Sequence, residues 1–251
     1  MKRLYAFLLL LMIAIISLNV QGRTIYEDEA EKAYLNGDFI RAIELYETYP
    51  SDSNQGFRTY TTYFNLGQAY SQIGDWGRAL LNYHRAQYFA PRDADIIDRI
   101  TTVRAIRADW HVEETGILEQ LSQFTAFFAT WELTFFATII WSVSWGIGLG
   151  AWLRLKPTAL KTTILITVVI VAVIVTGLTV NRIFIETYRP LAIVIQPQTE
   201  VLSGAGIDYF SMFSLYTGAE VRIVEENGIW AKIRLADGRE GWVRVNSIAK
   251  V

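Results

Sequence analysis

The residues that usually carry chemistry are sparse in this chain. Two histidines, His84 and His111, and no cysteine occur among 251 residues. A disulfide framework, a thiolate metal site and a lipid-modified cysteine anchor are therefore excluded. His84 follows Tyr83 in a helical pattern and His111 follows Trp110; neither has a nucleophile or a metal ligand at a useful spacing. There is no P-loop, no G-x-S-x-G and no H-E-x-x-H. The run GIGLGA, Gly146 to Ala151, spells a dinucleotide fingerprint but lies inside an uncharged apolar stretch, where no strand-to-helix turn can form. Gly146 and Gly150 make a G-x-x-x-G pair instead, which lets membrane helices approach closely. Acidic residues are scattered, with no acid and base couple. Catalysis, metals and cofactors are not expected. What remains is recognition chemistry, since aromatic and arginine side chains dominate binding hot spots. Trp242 and Arg244 share one face of a β-type run, with Tyr209 upstream, while Phe64, Gln68 and Ser71 recur at helical spacing.

The elements that position these residues follow from hydropathy. Apolar residues make up 52% of the chain, an excess gathered into three blocks. Leu4 to Leu18, behind Lys2 and Arg3, reads as a secretory signal over residues 1–22, either cleaved after Gly22 or kept as an anchor. Leu133 to Leu153 and Thr162 to Val180 carry no charge, and each has about the 20 residues needed to cross ~30 Å of hydrocarbon. Two transmembrane helices, 133–153 and 162–181, are expected. The connection 154–161 carries Arg154, Lys156 and Lys161 and no acid, so it stays cytoplasmic. Both flanking domains then lie outside, as the N-terminal signal independently requires. Residues 113–132 read as an interfacial amphipathic segment anchored by Trp131, or as the polar start of the span. A net charge of -2 argues against nucleic acid.

Residues 23–112 repeat with an offset of 37. Gly37, Asp38, Ala42 and Tyr46 align with Gly74, Asp75, Ala79 and Tyr83. A period in this range signals stacked helix pairs. The glycines permit the turn within each pair, and the aspartates cap the helix that follows. Asp93 to His111 reads as a closing helix with Ile96, Ile97, Ile100, Val103 and Ile106 buried. After Pro190 the pattern changes to short β-type runs: Leu191 to Ile195, Glu220 to Val224, Ile229 to Leu235 and Glu240 to Val245. Asn227-Gly228 is a hairpin signal. About five strands over residues 191–251 suit a small closed barrel. The fold class is thus multi-domain α and β: helical hairpin repeats, two membrane helices and a small β-barrel.

Three resemblances follow from these residues. Leu66, Gly67, Tyr70, Gly74, Ala79, Tyr83, Ala86 and Pro91 resemble the tetratricopeptide (TPR) repeat, which implies a concave peptide-binding face that includes Phe64, Gln68 and Ser71. Positions where some TPR domains place basic clamp residues are Glu27 and Glu31 here, so an acidic-tail ligand is not expected. Gly218, the run from Gly228 to Ile233 and the run from Asp237 to Val243 resemble the bacterial SH3-like domain, which implies a cell-wall peptide, glycan or protein as ligand. Trp230 is expected to fill the barrel core, while Tyr209, Phe210, Phe213 and Trp242 could line a surface. The whole order resembles the BatE-type proteins of bacterial aerotolerance operons. That resemblance implies an inner-membrane scaffold or sensor beside MoxR-type ATPases and von Willebrand A membrane proteins. The expected partners are membrane lipid, envelope or membrane proteins at the TPR groove, and wall material at the SH3-like domain.

Overall fold

The computed structural model describes residues 25–48, 59–106, 125–154 and 159–251, together with positions 117 and 121. The signal segment 1–22, most of 107–124 and the centre of the basic connection, 155–158, lie outside the described residues. Among the described residues there are seven helices and seven strands.

The first four helices form two hairpins: α1 (Ile25–Leu35) with α2 (Phe39–Thr48), and α3 (Tyr60–Gln72) with α4 (Trp76–Phe89). Both turns are closed in the same way. Gly37 and Gly74 adopt φ of 79° and 78°, a left-handed conformation that glycine enters without a Cβ penalty. In each, the glycine amide bonds three residues back and the aspartate amide five residues back, at 3.0–3.1 Å. This pairing satisfies the last carbonyls of the first helix. The same aspartate caps the second helix: Asp38 Oδ1 accepts from Arg41 N at 3.1 Å, and Asp75 Oδ1 from Arg78 N at 3.0 Å. One Gly-Asp dipeptide thus ends one helix and starts the next.

Small residues set the helix spacing. Ala30, Ala42, Ala69, Ala79 and Ala86 are fully buried, with Tyr46 and Tyr83 filling the space between them. A Cβ on Gly67 would lie 2.7 Å from the Tyr83 ring. A fifth helix, α5 (Ala94–Ile106), closes the stack through Ile96, Ile100 and Val103. Ile97 and Ile106, expected on the buried side, are exposed at 43% and 53%. The reason is the 3.6-residue period: 96, 100 and 103 define one stripe, and the other two positions fall off it.

A long hairpin follows, α6 (Thr130–Arg154) and α7 (Ala159–Tyr188). Among the described residues one stretch, Ile166–Tyr188, is long and apolar enough to cross a membrane. The helices meet where Trp141 Nε1 donates to Thr176 Oγ1 at 2.9 Å; Ser144, Ala172 and Thr179 are buried. The expected close approach at Gly146 is not found, because a Cβ there would meet nothing within 4 Å. Threonine and serine, bonded back to their own helix carbonyls, supply the small contact surface in its place.

The C-terminal region is one antiparallel sheet of β1 (Leu191–Val194), β2 (Gln198–Leu202), β3 (Ser211–Tyr216), β4 (Glu220–Asn227), β5 (Trp230–Arg234), β6 (Glu240–Arg244) and β7 (Ile248–Lys250). The spatial order is β3-β2-β6-β5-β4-β1-β7. The expected closed barrel is therefore corrected to an open sheet with β3 and β7 at its edges. At the β7 edge, Arg85 of α4 donates to Lys250 O at 2.6 Å. The β4–β5 hairpin turns on Gly228 and Ile229, with Asn227 paired to Trp230. Only the glycine has positive φ, at 61°, as a turn with glycine at its first central position requires. Asn227 is thus the last strand residue, and the turn sits one residue later than the Asn-Gly signal implies.

β1 joins the two regions. Ala192 and Val194 belong to the sheet's own core, while Ile193 is buried in the helical core with Leu191 and Ile195 packed beside it. Alternate side chains of a strand point to opposite faces, so this run serves two cores. On the facing helix, a Cβ on Gly77 would lie 2.3 Å from Thr217 Oγ1 and 2.8 Å from Val194 O. Gly77→Val should therefore force α4 and β1 apart and cost roughly 1–3 kcal/mol by overpacking. Faster hydrogen exchange at the Ile193 and Gly218 amides would show it; unchanged exchange and Tm would disprove the close docking.

Candidate functional site

The docking of β1 onto α4 creates a charged cleft. In an antiparallel pair, directly opposed residues share a face. Ile193 opposes Glu220 and Leu191 opposes Arg222, so Glu220 and Arg222 point toward the helices beside Ile193. Arg104 of α5 meets Glu220 with two bonds, Nε to Oε1 and Nη2 to Oε2, both 2.7 Å. His84 of α4 is 7% exposed, with Nε2 3.6 Å from Glu220 Oε2, beyond hydrogen-bond distance. The cleft has a volume of about 510 Å³ and reaches the last turns of α7, where Arg182, Ile185 and Glu186 line it. Arg182 pairs with Glu186, and Arg222 Nη1 donates to Arg189 O at 3.3 Å.

Burial pushes the Glu220 carboxyl up, but His84 and Arg104 together outweigh it and hold it well below the usual carboxylate range. A desolvated charge is tolerated only when paired and hydrogen-bonded. The cluster joins α4, α5 and β4 and borders α7. It contains no nucleophile–base pair. Among the described residues no group of three or more metal-ligating side chains is found.

The outer face of β5 and β6 is a second surface. Ala231, Ile233 and Val243 fill the sheet's core, so Lys232, Arg234, Glu240, Trp242 and Arg244 project away from it. Glu240 accepts from Lys232 at 2.9 Å and Arg234 at 2.5 Å, and these two cations hold its carboxyl below the usual range. Trp242 is half-buried, opposite Lys232 on β5 and Leu202 on β2. Its neighbour must be glycine: a Cβ on Gly241 would lie 2.3 Å from Val201 Cγ1. Arg244 is exposed, with its guanidinium 5.7 Å from the Trp230 ring. Trp230 is buried at 9% exposure, and Arg244 is its partner across the β5–β6 ladder. Tyr209 is half-exposed and lies over Gly204 and Gly206, where a Cβ would meet its ring at 2.4 Å and 3.2 Å. Phe210 is more open, at 71%. Phe213 packs on the core's margin, 4.5 Å beneath Arg239.

On α3, Phe64, Gln68 and Ser71 are all half-buried. Phe64 tilts against the Tyr83 ring at 5.8 Å, and Ser71 Oγ lies 3.1 Å from the Tyr83 hydroxyl. Both therefore support a buried tyrosine whose phenol burial pushes up. The structure places these three residues on one stripe of α3 and sets Trp242 and Arg244 together on another surface. Glu220, Arg104 and Arg222 have no sequence motif. Their only signal is the alternation Glu220, Val221, Arg222, Ile223, which reads as a solvated face.

Residues 198–249 match the family described as bacterial SH3 domain. The match covers β2 to β7 and begins after β1, the strand that docks on the helices. No curated protein matches the chain.

The Glu220 contacts should make docking acid-sensitive. A carboxylate with a depressed folded pKa contributes stability that is fully present above its unfolded value, about 4.3, and is lost as pH falls below that. Glu220→Gln should cost about 1–3 kcal/mol at pH 7, as for loss of part-buried hydrogen bonds to a charged group, and flatten the fall in Tm below pH 4. The double variant with Arg104→Met should recover part of that loss. Equal acid slopes for wild type and Glu220→Gln would remove the pair from the account of stability.

Proposed function

We propose that this chain is a membrane-anchored, non-enzymatic interaction protein of the bacterial cell envelope, acting as a scaffold or sensor. The observation that carries the reading is the direct attachment of a bacterial SH3 domain to an apolar helix. α7 ends at Tyr188 and β1 begins at Leu191, with only Arg189 and Pro190 between them. Ile223 N donates to Pro190 O at 3.0 Å, so the connection is pinned. In this reading α6 and α7 form a two-span hairpin whose basic connection faces the cytoplasm, leaving the helical and SH3 domains together outside.

The two capped hairpins and their closing helix support a TPR-type module. Its groove, with Phe64, Gln68 and Ser71, would take an envelope or membrane protein. The order of parts is that of BatE-type proteins, so MoxR-type ATPases and von Willebrand A membrane proteins are the first partners to try. Reporter fusions test the topology. Fusions at Asn54 and Gly228 should behave as exported and one at Thr158 as cytoplasmic; a cytoplasmic result at Gly228 would sink the two-span arrangement.

A cell-wall ligand is the second reading, favoured by the half-buried Trp242 on a salt-bridged outer face. Tryptophan and arginine are enriched at protein interfaces relative to the rest of the surface. Trp242→Ala in the detergent-solubilised full chain should weaken retention on purified wall sacculi about tenfold, or 1.4 kcal/mol. Unfolding should shift by no more than ~2 kcal/mol, less than the loss for a fully buried tryptophan. Full retention would leave the protein-scaffold reading alone.

A further inference from the structure

The helical region does not stand clear of the long hairpin. Arg92, just beyond α4, places Nη2 2.6 Å from Glu132 Oε1 and its guanidinium 5.4 Å from the Phe127 ring centre. Glu132 is the last charged residue before the uncharged run that begins at Leu133. It also accepts from the Ala129 amide at 2.9 Å, which fixes it at the start of α6. On α7 the corresponding boundary is Arg182, the first charge after an uncharged run that begins at Thr162. Thr130 of α6 reaches Glu186, the partner of Arg182, at 3.2 Å. Arg92 therefore ties the end of α4 to the level at which both helices become uncharged.

The surface at that level is aromatic. Tyr88 and Phe89, in the last turn of α4, are 46% and 50% exposed, and Phe127, Trp131 and Tyr188 are 60–65% exposed. The Tyr88 and Phe89 rings meet edge to face at 5.4 Å. Tyr88 lines the same cleft as Arg182 and Ile185, which places it beside α7. Exposed aromatics grouped in this way mark an interaction surface. Tyrosine and tryptophan beside arginine are the composition that settles at the headgroup level of a bilayer.

We propose that this rim is a lipid-contact surface. The end of α4, with Tyr88 and Phe89, sits in the outer-leaflet headgroup region, so that the helical domain lies on the bilayer and does not project from it. The inference rests on the reading of α6 and α7 as membrane spans. The occupant is lipid because the rim runs without a break into the exposed apolar flank of α6: Phe128, beside Phe127, meets Phe136 edge to face at 6.3 Å. The helical domain is then held at one height by three contacts: Arg92 with Glu132, the aromatic rim with headgroups, and α4 with β1.

The chain has no cysteine, so single cysteines can be labelled without background. Tyr88→Cys, Phe89→Cys, Phe135→Cys and Leu35→Cys would each carry a nitroxide in the full chain, reconstituted into phosphatidylethanolamine and phosphatidylglycerol vesicles. Collision with oxygen reports lipid, and collision with a nickel chelate reports water. The oxygen-to-nickel ratio at positions 88 and 89 should be several-fold above that at 35, which is 74% exposed on α1, and below that at 135. Ratios at 88 and 89 equal to that at 35, with 135 still in lipid, would overturn the contact and leave the membrane reading standing. An aqueous ratio at 135 would overturn both. Protection of 88 and 89 from both reagents would mean a protein covers the rim, which also overturns the proposal.

Discussion

Leu191 to Ile195 is a five-residue apolar run asked to satisfy two cores at once, and the arrangement of both domains depends on it. One face of β1 completes the SH3 sheet through Ala192 and Val194. The other completes the helical stack through Ile193. Fully burying an isoleucine contributes about 2 kcal/mol, so the joint has the character of an interior. Gly77 makes the approach possible by removing the one Cβ that would strike the Val194 carbonyl and Thr217. With β1 occupied on both sides, the helical stack and the sheet share one strand, Ile193 facing the first and Ala192 and Val194 the second.

That joint also explains the charge beside it. β4 pairs with β1, so a residue on the outer face of β4 next to Ile193 is covered as soon as β1 docks. Glu220 occupies that position. Its desolvation would oppose docking if it stood alone, but Arg104 meets both carboxylate oxygens and His84 lies against one of them. An ion pair of this kind adds little net stability over an apolar pair of the same shape. What it does supply is register: β4 satisfies its charge only when α4 and α5 stand where they do.

Coupling between the parts follows from short connections. The two residues between α7 and β1 are pinned to β4, and the end of α4 is tied to the start of α6 through Arg92. A displacement of the hairpin therefore acts on β1 and on α4 together, and both meet at the cleft around Glu220. On the proposed scaffold reading, this geometry would fix the spacing between α3 and the outer face of β5 and β6. In a sensor, a ligand that favours one arrangement of the joint would be felt at the hairpin, to the extent that it binds the two arrangements unequally.

Local signals carried much of the fold. The Gly-Asp dipeptides set both helix turns, because glycine enters φ near 80° without a Cβ penalty and the aspartate carboxylate accepts from the first turn of the next helix. Hydropathy located the two long helices, and the Gly-Trp-Val run lay where the sheet needs a glycine under Val201. Trp242 and Arg244 were legible as outward-facing because strand alternation is a local property. Local patterns also misled in places: the sheet does not close, the Asn-Gly turn sits one residue later, and Gly146 faces open space. Each of these depends on what stands opposite the residue. Glu220 is the clearest case. In the sequence it is a polar position on an alternating strand, indistinguishable from Glu240. Tertiary structure placed one under the helices against Arg104 and left the other half-buried between Lys232 and Arg234 on the sheet's outer face, because burial belongs to the docked surfaces and not to the strand.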